Sequence, residues 1–391
     1  MNTNIPLLLT ALLSLAMLQG TGRITQSNST TKVNERLPLA MLQGTGLSAP
    51  SRSLATDPPR VAIVQNKFGK SVRAGDGTLL RGGAAWVYQY GRKTGATNYI
   101  NDSAYWKAMQ DKGLNAVRLI AFDPWQRAHG NPAQYPNGYE HADLEKPEDV
   151  AALLKDIDTV VDMASRQGLY VLINYHDAGG YRDPDRKKED SYSPTIHYIT
   201  RFWSLVAPRY ANRSHVFFEL ANEPVKWYPQ DYKDEHLRDF KILYDLVRRK
   251  APQTHIVLLS FANTHSDNPN ISMLTVARRL KEFGVDFTNA SVGFHPYKTA
   301  GTSAPILALM KEFPVINTEQ NFPGGFGVVT DADSQSMDGE LLGVQTMERL
   351  GISWFHWKID GPKNLNNNVE KLRKDAQEKG YLWRLVSPQK R

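Results

Sequence analysis

The stretch FFELANEP, Phe217 to Pro224, predicts a short buried strand that ends in an asparagine and a glutamate. Its strand part is apolar except for Glu219. Pro224 ends the strand, because proline has no N–H to donate to a neighbouring strand. Asn222 and Glu223 therefore stand where the strand ends, and in an eight-stranded α/β barrel the active site lies at the C-terminal ends of the strands.

A second stretch, PVINTEQNF, Pro314 to Phe322, has the same organisation. A predicted strand, Val315 to Asn317, leads directly to Glu319. A polar turn after a strand is an ordinary feature of a fold, so either glutamate alone carries little information. Two strands that each present a carboxylate at the same end favour a shared site.

Strand and helix patterns alternate along most of the chain, which predicts a parallel sheet with helices outside it. The clearest helix has apolar residues at spacings of three and four from Val150 to Ala164, and Gly168 ends it. A small hairpin, Val61 to Val64 and Ser71 to Arg73, precedes the alternation. The predicted barrel strands are Leu79–Gly82, Ala116–Ile120, Tyr170–Tyr175, Val216–Leu220, His255–Leu259, Ser291–Phe294, Val315–Asn317 and Ser353–Trp357.

Eight strand–helix units predict an α/β fold, a single (β/α)8 TIM barrel with a short N-terminal hairpin, over residues 60–391. Barrels of roughly 250 residues and more are common, so a second domain is not needed to explain the length. An open doubly wound sheet is the alternative, but the sequence has no Gly-rich phosphate loop after the first strand.

The N-terminal residues are typical of an exported protein. Ile5 to Leu18 is an apolar run that is too short to span a bilayer but suits the core of a signal peptide. We therefore expect residues 1–22 to be a signal peptide and residues 23–59, which are rich in Ser, Thr, Pro and Gly, to be a flexible leader. The expected location is secreted or periplasmic.

Composition narrows the classes of function. The 391 residues are 41% hydrophobic, enough for a large core, and the net charge of +7 is spread along the chain. The densest basic run, Arg186 to Lys188, is followed at once by two acidic residues, so nothing indicates a nucleic-acid surface, and a membrane role also lacks support. The chain has no cysteine, which excludes disulfides, thiolate catalysis and cysteine-based zinc sites.

Polar and aromatic side chains recur at the predicted ends of the strands. Each alone has an ordinary explanation, such as a satisfied core histidine or a structural ion pair. Packing does not account for the whole set, because packing favours apolar groups at these positions. Arg118 in particular lies in an apolar strand and needs a carboxylate partner. The set comprises Arg118, His176, Asn222, Glu223, His295, Tyr297, Glu319 and Trp357.

Two carboxylates that converge on one pocket with aromatic walls suit glycoside hydrolysis. One glutamate acts as acid and then as base, and the other attacks the anomeric carbon. Arg118 and the hydroxyl of Tyr297 would hold Glu319 ionised. Trp357 would offer a flat apolar face to a pyranose ring. The histidines are scattered and lack ligand spacing, so metal-dependent hydrolysis is disfavoured, and we expect no metal and no cofactor.

The ordered motifs resemble glycoside hydrolase family 5, whose (β/α)8 barrels carry the acid/base after strand four and the nucleophile after strand seven. The resemblance covers about residues 60–391 and implies a cellulase-like retaining β-glycosidase. It implies Glu223 as acid/base, Glu319 as nucleophile and Asn222 at the sugar 2-hydroxyl. The matching motifs are LRGG (Leu80–Gly83), AVRLI (Ala116–Ile120), NYHD (Asn174–Asp177), ANEP (Ala221–Pro224), FHPY (Phe294–Tyr297), TEQ (Thr318–Gln320) and Trp357.

The resemblance implies a hydrolase of β-linked polysaccharide, and an endo-β-1,4-glucanase, or cellulase, is the expectation. An endo-β-1,4-mannanase on the same scaffold is the alternative among enzymes, and a non-catalytic carbohydrate-binding barrel is the alternative outside them. Trp86, Trp125 and Trp227 are candidate sugar platforms just beyond strand ends, and each could instead cap the barrel. We expect a monomer whose partner is the polysaccharide substrate, with no nucleic-acid or membrane partner.

Overall fold

Ten strands and eight α-helices alternate in the described part of the chain, and eight of the strands form a closed parallel barrel. A computed structural model describes residues 57–87, 98–122, 142–176, 196–225, 228–266, 268–296, 303–320, 343–357 and 359–379. All of these belong to one unit, Leu47–Arg391. The predicted signal peptide and all but the last three residues of the predicted leader lie outside the described residues.

The elements have the following bounds. The strands are β1 (Ala62–Gln65), β2 (Lys70–Arg73), β3 (Arg81–Trp86), β4 (Ala116–Phe122), β5 (Tyr170–Tyr175), β6 (Val216–Glu219), β7 (Ile256–Phe261), β8 (Ala290–Phe294), β9 (Val315–Gln320) and β10 (Trp354–His356). The helices are α1 (Ser103–Asp111), α2 (Pro147–Arg166), α3 (Ile196–Tyr210), α4 (Asp234–Lys250), α5 (Met273–Glu282), α6 (Ala304–Glu312), α7 (Val344–Leu350) and α8 (Gly361–Lys379).

Pairing between the first and last strands closes the barrel. Strands β3 to β10 pair in sequence order and in parallel, and β10 pairs back onto β3 with Trp354 opposite Arg81. Strands β1 and β2 form an antiparallel hairpin outside the barrel, and β2 also pairs with β9. The predicted (β/α)8 TIM barrel with a short N-terminal hairpin is therefore confirmed.

Side chains from alternate strand positions fill the barrel interior, as the pleat of a strand requires. The hairpin joins this core at the N-terminal end of the barrel, where Ser353 donates to the carbonyl of Val72 at 2.7 Å. A Cβ atom on Gly82 would overlap the ring of Phe355, so glycine leaves room for that ring. The interior residues are Val61, Val72, Ala74, Leu80, Ala116, Tyr170, Leu172, Phe217, Val257, Ile316 and Phe355.

The helices pack their apolar faces on the outside of the barrel. Helix α2 buries the predicted stripe from Val150 to Ala164, and Gly168 follows it with a φ of 65°, a conformation that glycine adopts readily. Helix α8 begins at Gly361 rather than near Val369, because asparagines with low helix propensity occupy its first turns and conceal its start.

Among the described residues, none of the helices combines the length and the apolarity needed to cross a bilayer.

The last three residues of the predicted leader, Asp57 to Pro59, are held against the N-terminal end of the barrel. The Asp57 side chain is 2% exposed and accepts a hydrogen bond from Nε of Arg213 at 2.9 Å. The carbonyl of Pro59 accepts from the hydroxyl of Tyr170 at 2.7 Å. The barrel domain therefore includes Asp57, three residues before the boundary at residue 60 that composition suggested.

Asp57→Ala in the full chain should lower the free energy of unfolding by about 3 kcal/mol, because it removes the buried counter-charge of Arg213. The other carboxylate near Arg213, Asp162, is 44% exposed, so water screens it. The matched control is Asp111→Ala, which breaks an exposed pair with Lys107 and should change the free energy by less than about 1 kcal/mol. Urea unfolding measures both, and equal midpoints for the two variants would refute the anchoring role of Asp57.

Candidate active site

The C-terminal ends of the barrel strands bring eight of the predicted site residues together, as the common direction of parallel strands requires. They are Trp86 at the end of β3, Arg118 in β4, His176 after β5, Asn222 and Glu223 after β6, His295 after β8, Glu319 in β9 and Trp357 after β10. Tyr297, Trp125 and Trp227 lie outside the described residues, so their roles remain predictions.

Arg118 is the centre of the site. Its side chain is 1% exposed, and a buried guanidinium is stable only where anions neutralise it and acceptors take its N–H groups. Nε donates to Glu219 at 2.6 Å, Nη2 donates to Oδ1 of Asn222 at 2.6 Å, and Nη1 donates to Glu319. The carboxylate partner predicted for this arginine is therefore present twice, and Arg118 links β4 to β6 and β9.

Glu219 is a residue to which the sequence analysis gave no role. It is the one charged residue of β6, its side chain is fully buried, and its two oxygens accept from Arg118 at 2.6 and 3.1 Å. Burial alone would raise the pKa of Glu219, but the charge of Arg118, its hydrogen bonds and the contact with His295 together outweigh burial and hold this pKa well below its usual range. The available signal was a lone carboxylate in one apolar strand and a lone arginine in another, two strands away.

A β-bulge in β7 supplies a further hydrogen bond to Glu219. The pairing register shifts between Leu258 and Phe261, and the φ angles of Leu259 and Ser260 are 72° and 29°. Such angles are costly for residues that carry a side chain. The bulge directs the hydroxyl of Ser260 to Glu219, to which it donates at 2.6 Å. The strained backbone at Leu259 and Ser260 thus provides a hydrogen bond to the buried carboxylate of Glu219.

His295 lies between Glu223 and Thr318. Its Nδ1 is 2.7 Å from Oε1 of Glu223, and its Nε2 is 2.9 Å from Oγ1 of Thr318 and 3.9 Å from Glu219. Burial alone would lower the pKa of His295, but the charge of Glu319 and the contacts with Glu219 and Glu223 outweigh it and raise this pKa to about 9. The ring is therefore an imidazolium at neutral pH and donates from both nitrogens. Glu223 itself has a φ of 37°, which is uncommon for a residue with a Cβ atom.

Glu319, the predicted nucleophile, is 7% exposed at the C-terminal end of β9. Burial raises the pKa of Glu319 above its usual value, and the positive charges of His295 and Arg118 limit the rise. A carboxylate of higher basicity is a better nucleophile once it is ionised. The two opposing influences on Glu319 therefore suit a group that has to attack carbon.

One ring nitrogen of His295 and one oxygen from each of Glu223 and Glu319 lie within 4.8 Å of one another. By distance alone these three atoms could hold a metal ion. The hydrogen bonds account for the cluster without one, because His295 uses one nitrogen on Glu223 and the other on Thr318. What the cluster establishes is that the two glutamates are close enough to act on a single atom placed between them.

Three aromatic rings pack together at the same end of the barrel. His176 stacks on Trp357, with centroids 5.2 Å apart and planes at 12°, and Trp86 meets these two rings edge-on at 5.6 and 5.2 Å. Burial, followed by the charge of Arg118, lowers the pKa of His176, so its ring is neutral. Trp86 is 6% exposed, whereas Trp357 is only partly buried. A sugar platform needs an open ring face, so these contacts favour Trp357 as the platform and Trp86 as its support.

The sequence matches the model of one protein family over most of the barrel. That family is described as Cellulase (glycosyl hydrolase family 5), and the match covers residues 75–363. A curated relative, endoglucanase E-5 of Thermobifida fusca, is 23% identical over 209 residues, which cover 51% of this chain and 39% of the relative. The chain thus aligns with about two fifths of that relative's length.

Solved structures share the barrel. The β-glucanase SdGluc5_26A of Saccharophagus degradans, in complex with cellotetraose, superposes with a TM-score of 0.55 at 17% identity and covers 85% of this chain and 98% of its own. A GH5-4 broad specificity endoglucanase from an uncultured bacterium gives a TM-score of 0.52 at 16% identity, with 85% and 99% covered. At these identities the likeness shows a common fold.

His295 should stay protonated to unusually high pH. In protein labelled with ¹⁵N-histidine, both of its ring nitrogens should carry protons at neutral pH, and the ring should titrate at a pH of about 9. His255 is an internal control, because it is equally buried but burial lowers its pKa to about 3, so its ring should stay neutral at any pH above about 5. His295→Asn and His255→Asn assign the two sets of signals.

The same titration predicts a change in stability. Folding raises the pKa of His295 above the value of about 6.5 of an unfolded histidine. Protonated His295 therefore contributes stability that is complete below a pH of about 6.5 and is lost as the pH rises through about 9. The gap in unfolding midpoint between wild type and His295→Asn should accordingly be larger in the acidic range than in the alkaline range. A His295 ring that titrates near its unfolded pKa would rule out the charged network.

Proposed function

Because the chain belongs to the cellulase family, glycosyl hydrolase family 5, we propose that it is a retaining endo-β-1,4-glucanase. The observation that carries the proposal is the approach of Glu223 and Glu319, which place one carboxylate oxygen each within 4.8 Å. Retaining enzymes hold their two carboxyl groups about 5–5.5 Å apart, whereas inverting enzymes leave about 6.5–9.5 Å for a water molecule. The separation supports the retaining course.

In the first step Glu319 attacks the anomeric carbon as a carboxylate. A C–O bond forms between them while the bond to the leaving sugar breaks. The oxygen of the leaving sugar takes the proton of Glu223, so the sugar departs as a neutral alcohol. His295 carries a positive charge 2.7 Å from Glu223 and stabilises the carboxylate that remains there.

In the second step Glu223 is a carboxylate and takes a proton from a water molecule. The water oxygen attacks the anomeric carbon, and the bond to Glu319 breaks. Glu319 recovers its negative charge next to the guanidinium of Arg118, which donates to it. Each step inverts the anomeric carbon, so the product keeps the β configuration of the substrate.

The relatives and the aromatic wall support a glucan substrate. One relative is an endoglucanase, and one structure of similar fold is a β-glucanase that holds cellotetraose. The partly exposed ring of Trp357 suits a pyranose, and Arg118 fixes the amide of Asn222, the residue that the family resemblance places at the sugar 2-hydroxyl. A polymer of this kind does not enter the cell, which supports a secreted or periplasmic location with residues 1–22 as a signal peptide.

A panel of polysaccharides tests the substrate class. We expect faster release of reducing sugar from carboxymethyl-cellulose and mixed-linkage glucan than from xyloglucan or mannan, with an early fall in viscosity because internal bonds are cut. A preference for mannan would replace the glucanase with a mannanase. Binding of these polymers without any release of sugar would indicate a carbohydrate-binding barrel.

The two glutamates should respond differently to substitution. Glu319→Ala should lower kcat/KM on every substrate by at least about 10⁴-fold, because no glycosyl-enzyme can form. Glu223→Ala should lose much less on an aryl β-cellobioside with a good leaving group, because such a group needs little protonation. Azide should restore turnover of Glu223→Ala and give the β-glycosyl azide, whereas with Glu319→Ala it should give the α product.

NMR of the anomeric proton identifies the azide products, and the opposite pairing of product with variant would exchange the two roles. Glu235→Ala is the matched control, since Glu235 is 66% exposed in α4 and should leave kcat/KM unchanged. Unfolding midpoints of all three variants separate a loss of chemistry from a loss of structure, because the removal of a buried charge also destabilises a fold.

A further inference from the structure

We propose that Glu219 is a positioning residue that holds Arg118 in place and keeps the active site electrically neutral through both steps of the reaction. The inference rests on the proposed retaining mechanism. Glu219 acts on Glu319 and Asn222 through the guanidinium of Arg118, which donates hydrogen bonds to all three. Unlike the acid/base and the nucleophile, Glu219 therefore forms no bond to the substrate and transfers no proton.

Glu219 sets the orientation of Arg118. Two N–H groups of the guanidinium, on Nε and Nη2, donate to the two oxygens of Glu219 at 2.6 and 3.1 Å. This two-point contact fixes the plane of the guanidinium more strictly than a single hydrogen bond would. The N–H groups that remain are thereby directed to Glu319 and to Asn222.

The surroundings of Glu219 are built to hold a charged carboxylate. Besides Arg118, the hydroxyl of Ser260 donates to it at 2.6 Å, and Nε2 of His295 lies 3.9 Å away. Ser260 reaches it only through the strained bulge of β7, and the bulge fits because Gly293 has no Cβ atom to crowd the serine hydroxyl. A neutral side chain would not need this set of donors.

A count of charges shows what Glu219 contributes. The described groups of the site that titrate or carry charge are Arg118 in β4, His176 after β5, Glu219 in β6, Glu223 after β6, His295 after β8 and Glu319 in β9. Arg118 and His295 are cations and His176 is neutral. In the proposed mechanism the anions before the reaction are Glu219 and Glu319 and the acid proton is on Glu223, so the sum is zero.

The sum stays at zero when the intermediate forms. The ester bond removes the charge of Glu319, and the proton given to the leaving sugar leaves a negative charge on Glu223, so one anion replaces the other. Without Glu219 the site would carry one uncompensated positive charge in both states. An uncompensated charge is expensive in a buried site, so Glu219 lowers the energy of both states while it leaves the proton free to move.

Glu219→Gln tests the proposal, because it removes the charge and keeps the shape of the side chain. The extra positive charge favours ionised Glu319, so the acidic limb of the pH profile of kcat/KM on an aryl β-cellobioside should move to lower pH by about one unit or more. The loss of an anion should also lower the pKa of His295 by about one unit or more, as read by the ¹⁵N-histidine titration.

Two variants serve as controls. Glu348→Gln removes another carboxylate with a two-point arginine contact, to Arg81 at 2.7 and 2.8 Å, between α7 and the start of β3. It should lower stability and leave the acidic limb and the His295 titration in place. Glu219→Asp keeps the charge but shortens the reach, so it should lower kcat while the acidic limb stays at its wild-type pH.

Each outcome decides the matter. If Glu219→Gln loses stability like Glu348→Gln and neither the acidic limb nor the His295 titration moves, Glu219 is a structural ion pair and the proposal is overturned. If Glu219→Gln does not fold, the charge-balanced double variant Arg118→Gln/Glu219→Gln should fold and keep His295 titrating at a pH of about 9. Failure of the double variant to fold would also overturn the proposal.

A wild-type protein without hydrolase activity would refute the proposed function. The His295 titration would still show whether Glu219 balances the charge of the site, so the two failures can be distinguished.

Discussion

One buried guanidinium is the constraint on which the rest of the site depends. Arg118 lies in a barrel interior that cannot solvate it, so carboxylates from other strands must come within hydrogen-bonding distance. Glu219 and Glu319 meet that requirement from β6 and β9, on either side of the barrel opening. The same contacts place a carboxylate at a defined point above the core, as the proposed attack on a bound sugar requires.

The two cations of the site lie beside the two glutamates of the proposed mechanism. Glu319 accepts from the guanidinium of Arg118 and is also stabilised by the charge of His295, whereas Glu223 lies against the imidazolium of His295. Each glutamate therefore has a positive partner for the step in which, in the proposed mechanism, it carries the negative charge. A closed parallel barrel makes this arrangement natural, since every strand delivers its last residues to the same end.

Local signals in the sequence were sufficient for the barrel and for most of the site. Pro224 marked the end of a strand, and the order of the polar strand ends located the glutamates and their neighbours. Contacts between distant residues left no such signal. The pairing of Glu219 with Arg118 spans 101 positions, that of Asp57 with Arg213 spans 156, and the bulge that aims Ser260 depends on backbone angles that no residue pattern encodes.

In the described part of the chain, three residues other than glycine have a positive φ: Glu223 at 37°, Leu259 at 72° and Ser260 at 29°. All three belong to the site or to the bulge that serves it, and such angles cost of order 1–3 kcal/mol each. A thermostabilisation effort that ranks positions by backbone preference would choose these three positions first, because glycine adopts a positive φ without strain. At Glu223 and Ser260, whose side chains contact His295 and Glu219, a gain in heat tolerance from glycine would therefore be expected to lower turnover.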